Sequence, residues 1–208
     1  MPHQEYTDKD GNNWPSVTTI TSLLAKPALY SWYGKVGNAE AKRIKDESTA
    51  FGRDVHGGVE AYLKGEKYLN ETEAAHQLVA GFVEWFEKQN IKPVAIEEHL
   101  KSTEHRYHGT FDFVAEVNGV LTLCDLKTNN AIYDEMVLQL TGYHILWNEN
   151  QQTLPCNDGL IIRLDKKTKK VYTKEYKYLD RYDGVFLGLR TVWEWSNKQG
   201  EFSWLKKK

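Results

Sequence analysis

Cysteine is scarce in this sequence: Cys124 and Cys156 are the only two among 208 residues. Two thiols cannot build a four-thiolate zinc or iron–sulfur site, and nothing suggests a disulfide scaffold, so a reducing compartment is expected. No apolar run approaches the roughly 18 residues that a membrane span needs. The N-terminal stretch "MPHQEYTDKDGNNWPS" has neither the apolar core of a signal peptide nor the arginine-rich character of a transit peptide. A cytoplasmic protein with no membrane association is expected. An excess of positive charge is missing as well. The net charge is −2, so a nucleic-acid partner would have to be held by local patches rather than by a global field. "KKTKK" (Lys166 to Lys170) and the terminal "KKK" are candidate patches, with a solvated turn and a solvated tail as the plainer readings. Repeats, low-complexity tracts and a "GxxxxGK[ST]" phosphate loop are also absent.

The residues that are present describe a globular chain. Hydrophobic residues make up 40% and charged residues 27%, consistent with a single domain over 1–208 built on one core. Its N-terminal portion, about 16–90, reads as helical. Ser16 caps a short helix through Leu24, and a second runs from Ala28 to Val36. Long apolar periodicities follow over Asn38–Lys64 and Glu71–Gln89. A core sheet spans about 93–178: an extended "VAIEEHL" after Pro93, a hairpin, a helix over Tyr133–Asn148, and the strand pair "GLIIRLD" and "KVYTKEYKY". A last amphipathic helix covers Asp180–Gln199. The hairpin is apolar on both faces, with Val114, Leu121 and Leu123 on one and Phe111, Phe113, Ala115, Cys124 and Leu126 on the other. Such a hairpin must be covered on both sides. The fold class is therefore α/β, a central mixed sheet flanked by helices on both faces.

That hairpin, "HGTFDFVAEVNGVLTLCDLKT", turns at Asn118-Gly119, a strong two-residue hairpin signal. Counting outward, Val117 faces Val120 and the sixth pair sets Asp112 opposite Asp125. Like charges directly across a ladder, with Cβ atoms roughly 5 Å apart, are destabilising. Lys127 shares their face. Buried together, the two acids must take up a proton or find a cation, and Mg²⁺ is suited to one or two carboxylates with waters left for substrate. The alternative is a surface cluster in which Lys127 neutralises one acid.

Two helical stretches add chemistry. "FGRDVHGGVE" sets His56 and Glu60 on one helix face, beside two glycines that each cost about 1 kcal/mol mid-helix and suggest close approach there. Downstream, Gln139 and Tyr143 share a face of the helix that follows the acidic strand. Trp14, Tyr30, Trp32 and Tyr33 could stack on unpaired bases, although most are expected in the core.

In order, "PSVTTI", "GRDVH", "IEEHL", "GTFD", "DLKT" and "QLTGY" resemble the PD-(D/E)XK nuclease superfamily. The likeness is to its RecB-like and lambda-exonuclease-like branch, which includes phage and mitochondrial genome-maintenance exonucleases. It runs from Pro15 to about Trp147, and the final third matches only in outline. It implies a restriction-endonuclease-like core and metal-dependent hydrolysis of DNA phosphodiester bonds, with Mg²⁺ as cofactor and Mn²⁺ as a substitute. Asp112 and Asp125 would be metal ligands, with His56 and the Leu126 carbonyl completing the shell. Lys127 would position the water or stabilise charge on phosphorus, and Gln139 and Tyr143 would orient the lysine and the DNA backbone. The family also uses an acid from the preceding strand. Here Glu97 and Glu98 compete, with Glu97 preferred because it stands three before Leu100. The implied partner is DNA with a free end or a single-stranded portion, and a recombination or replication protein is a further candidate. An exonuclease is the leading expectation. A structure-specific endonuclease of the same fold and a catalytically silent nucleic-acid-binding subunit are the alternatives.

Overall fold

A computed structural model describes residues 6–9, 11, 13–24, 27–150 and 154–198, the side chains of 27–29 and 198 excepted. Gln199 and the terminal lysines lie outside the described residues. Strands β1 (Tyr6–Thr7) and β2 (Asn13–Trp14) form a two-stranded ribbon. Helix α1 (Val17–Thr21) starts where the sequence predicts, with Ser16 Oγ accepting the Thr19 N–H. Helix α2 (Pro27–Val36) begins on Pro27 rather than after it, because a first-turn residue has no use for the missing N–H. Helix α3 (Asn38–Lys64) has the predicted bounds and stops at Gly65, whose φ of 70° is left-handed. Helix α4 (Glu73–Phe86) is capped by Thr72 and is shorter at both ends than its apolar pattern.

The strands β3 (Ile91–Ile96), β4 (His99–Ser102), β5 (Tyr107–Thr110), β6 (Phe113–Val117) and β7 (Val120–Lys127) follow. Then come α5 (Met136–Asn150), β8 (Asp158–Leu164), β9 (Val171–Tyr176) and α6 (Asp183–Lys198). The central sheet has five strands in the order β3-β6-β7-β8-β9, with β7 and β8 parallel and the other neighbours antiparallel. Parallel neighbours need a long crossover, and α5 lies on it. Pro93 sits in the edge strand β3 beside a register shift, where a missing donor is tolerated.

Two apolar clusters cover the two faces of the sheet. Val55, Val59, Leu78 and Phe82 of α3 and α4 pack with Phe113, Cys124 and Ile162. On the other face Val17, Leu140, Leu146 and Phe186 pack with Val114, Leu123 and Ile161. Helix α5 is buried almost all round, with ten residues inside, as expected of a helix held between a sheet and other helices. Helices thus flank both faces of a mixed sheet, in agreement with the predicted α/β class.

Three expectations are corrected. "VAIEEHL" is not one strand: β3 starts two residues before Pro93, and the chain breaks after Ile96 into β4, which pairs with β5 in a separate ribbon. Phe111 packs on the α5 side against Trp147, opposite to its assigned face, because alternation fails where the chain leaves β5 for β6. The four aromatics are not core. Tyr30 is exposed, and Trp14, Trp32 and Tyr33 are half-buried, since neither Trp14 of β2 nor the described side chains of α2 belong to either cluster. In "KKTKK", Lys166 lies over the Phe51 ring and reaches Ser48, while the Lys169 carbonyl closes on Gly81. The turn is thus packed against α3 and α4 at Lys166 and Lys169, while Lys167 and Lys170 are exposed.

Asp54 fixes the approach of α4 to α3. It is 4% exposed, and its carboxylate accepts from Asn70 Nδ2 (3.0 Å), Glu71 N–H (3.0 Å) and Thr72 N–H (3.3 Å). Removing it strands backbone donors, at about 1–3 kcal/mol for an unsatisfied group. Asp54→Ala is expected to lower unfolding free energy by about 2–3 kcal/mol, read as a lower urea midpoint with an unchanged slope.

Candidate active site

The site forms at an interruption of β-structure. The β3–β6 ladder ends at Ile96–Phe113 and the β4–β5 ladder begins at His99–Thr110, three residues further along each strand. Glu97 and Asp112 therefore fall opposite one another at the bend. The Glu97 N–H donates to the Asp112 carbonyl at 2.8 Å, and Glu97 takes a φ of 51°, a left-handed conformation that costs a non-glycine residue about 1–2 kcal/mol. On the other flank the β6–β7 ladder stops at Phe113–Cys124, so the counted register holds for five pairs and the sixth does not form. Asp112 leaves the pleat instead, and its Oδ2 accepts the Leu126 N–H at 2.6 Å. The cross-strand partner of Asp112 is Glu97 rather than Asp125.

Helix α3 brings His56 to the same point, with Nδ1 3.1 Å from Asp112 Oδ1. Ligand atoms of His56, Glu97 and Asp112 all lie within 4.8 Å of one another. Of the two competing glutamates, Glu97 is in this group and Glu98 is not; Asp125 is also outside it. Asp125 is 2% exposed, and the Lys127 ammonium stands 2.5 Å from its Oδ2 as an ion contact. Lys127 Nζ donates to Gln139 Oε1 (3.0 Å), and Gln139 Nε2 donates to Tyr143 Oη (3.2 Å). Leu126 meets the site through its N–H, its side chain being buried in the α3–α4 cluster. An acidic group with one imidazole thus lies beside a lysine relay, the two meeting at the end of β7.

The charges in this cluster are strongly perturbed. Burial, with Asp112 and Glu60 nearby, pushes Glu97 up to about 7. Burial also raises Asp125 to about 6, against the opposing pull of Lys127. Asp112 is half-buried and incurs a desolvation cost too, but His56, Lys127 and the Leu126 N–H outweigh that cost and hold it below the usual carboxylate range. Burial opposes charge on His56, and the Asp112 carboxylate outweighs it, so the imidazole is raised. Burial and then Asp125 push Tyr143 upward, and it remains a phenol at neutral pH.

The group opens into a cleft of about 520 Å³, to which Ser16, Thr18, Arg53, Glu60, His99 and Thr110 also contribute. Gly109 is required here, since a Cβ would stand 2.7 Å from the Tyr143 ring. The sequence signal for Arg53 was its place three before His56. For His99 and Thr110 there was none, because they enter through the bend. Donor chemistry suits a divalent cation: two carboxylates favour Mg²⁺, and the imidazole accommodates Mn²⁺ equally well. His56, Glu97 and Asp112 could hold such an ion.

No family model matches the chain, and no curated protein sequence does. Among solved structures, an alkaline exonuclease (LHK-Exo) from Laribacter hongkongensis is similar over 92% of this chain and 91% of its own, at 9% identity and a TM-score of 0.50. A candidate exonuclease from Eubacterium rectale is similar over 68% of this chain and 64% of its own, at 11% identity and a TM-score of 0.49. The first of these is a likeness of fold alone. The chain has the PD-(D/E)XK nuclease fold: a mixed five-strand sheet between helical layers.

A carboxyl raised to about 7 binds its proton more tightly in the folded than in the unfolded chain. The metal-free fold therefore loses stability as pH rises from the ordinary glutamate value towards 7. Glu97→Gln removes this loss. The variant's melting temperature minus that of wild type is expected to grow between about pH 5 and 8 in EDTA, and to shrink when Mg²⁺ or Mn²⁺ is added.

Proposed function

We propose that the protein is a divalent-metal-dependent deoxyribonuclease acting as an exonuclease on DNA. The observation that carries this reading is the meeting of His56, Glu97 and Asp112 with the Asp125–Lys127–Gln139–Tyr143 chain at one bend, open to a cleft. Phosphodiester hydrolysis needs an activated water, positive charge around the transferring phosphoryl group, and support for the leaving oxygen. His56, Glu97 and Asp112 would hold a divalent cation, which would supply Lewis acidity and render a water nucleophilic near neutral pH. The chain supplies the rest. Leu126 N–H fixes the rotamer of Asp112, and His56 holds its other oxygen. Lys127 is a compact mobile charge, aimed by Gln139 and anchored by Asp125, and it stabilises negative charge on phosphorus. Tyr143 holds Gln139 and, at the cleft wall, hydrogen-bonds the DNA backbone. The exonuclease assignment leans on the ordered motifs and on the activity named for the Laribacter hongkongensis protein of the same fold.

The test is degradation of linear and covalently closed circular DNA with Mg²⁺ or with EDTA. Wild type is expected to degrade linear DNA alone, and EDTA to abolish this. Lys127→Ala should lower kcat by about 10²–10³-fold, the scale of losing one charge-stabilising group; Asp112→Asn should leave no measurable turnover. Activity that survives EDTA, or full activity in Lys127→Ala, would overturn the mechanism. Cleavage of closed circles would reassign the protein as a structure-specific endonuclease, and binding without cleavage would make it a silent subunit.

A further inference from the structure

Helix α3 is 27 residues long, yet its buried residues other than Ala41 begin only at Asp54. The first half is therefore an arm outside both apolar clusters. The direction of one of its faces is fixed by the cleft, which Thr49, Arg53, His56 and Glu60 line. At 100° per residue, that face continues toward the N-terminus through Lys45 and Lys42. The charges on this face differ from those behind it. Arg43, on the far side, is clamped between Glu40 and Glu47 at 2.6 Å each. Lys42, Lys45 and Arg53 are exposed and form no ion pair or side-chain hydrogen bond among the described residues. Asp46 borders the line next to Arg53 in helical projection, and Glu60, paired with Lys64, lies on it beyond His56.

We propose that Lys42, Lys45 and Arg53 form a rail on α3 for the phosphates of the DNA strand that enters the cleft. Resting on the nuclease reading, this adds the path the substrate takes. From Lys42 to His56 the helix rises about 21 Å at 1.5 Å per residue, a length equal to the axial rise of about six nucleotides of one duplex strand at 3.4 Å each. Cations without intramolecular partners break no ion pair on turning to phosphate, whereas Arg43 would first have to leave two glutamates. The rail is sequence-independent, since it touches no base edge. It also makes substrate length matter, because a very short oligonucleotide occupies the cleft without reaching Lys45 or Lys42.

Binding of a fluorescent single strand of about 30 nucleotides is measured in EDTA across a salt series, a readout independent of hydrolysis. Lys42→Ala/Lys45→Ala is expected to flatten the slope of log affinity against log salt by about 1.5, and to weaken binding about tenfold or more at 0.1 M salt. Asp46→Asn should tighten binding. With Mg²⁺, the double variant should show a raised KM on the long strand, an unchanged kcat, and wild-type turnover of a trinucleotide. An unchanged salt slope, or an equal loss on the trinucleotide, would overturn the rail. Absence of hydrolysis in wild type with the slope change intact would instead overturn the nuclease reading and leave the rail standing as a binding surface.

Discussion

The arrangement depends on one aspartate held from three directions. Asp112 offers its carbonyl to Glu97, one side-chain oxygen to the Leu126 N–H and the other to His56. A buried carboxylate is costly unless its lone pairs are met, and hydrogen bonds to an ionised acceptor are among the stronger ones. Each of these bonds ties down a different element: β3 on one flank, β7 on the other, and α3 from above. The bend in the ribbon is thus determined from several sides, which is how a left-handed Glu97 persists where a glycine would be the easier residue.

The acidic group and the lysine relay belong to opposite layers of the protein. Along β7, Cys124 and Leu126 point into the cluster under α3 and α4, while Leu123 faces α5. Asp125 and Lys127 share the α5 side by alternation, and there Gln139 and Tyr143 meet the lysine. What joins the layers is a peptide, the Leu126 N–H in the plane of the sheet, on which Asp112 rests. The site therefore straddles the end of the sheet rather than lying on one face. Positions of the acids and of the lysine are both referred to the same rigid strand.

Much of this was legible in the chain. Asn118-Gly119 fixed the turn and the five pairs after it. The apolar periodicity of α3 gave both of its ends, and Ser16 was readable as a cap. Hidden from the sequence was the bend. Counting a register assumes a continuous pleat, and nothing in "GTFD" says that alternation stops at Phe111 and Asp112. For the same reason alternation could not separate Glu97 from Glu98: a residue in the left-handed region does not project as a strand residue does. The aromatics of α2 misled because large apolar side chains are usually buried, and only tertiary packing reveals that its described side chains stay outside both cores. Asp125 was read as half of a facing pair, whereas burial on the α5 side made it the counter-ion of Lys127.

Pro93 has a consequence away from the cleft. The edge strand β3 carries a residue without an N–H, followed at once by a register shift. Its outer row of donors and acceptors is therefore discontinuous, and a strand from a second molecule finds no full ladder to extend. This border of the sheet is blunted against edge-to-edge aggregation, so crowded copies need not fuse their sheets along β3.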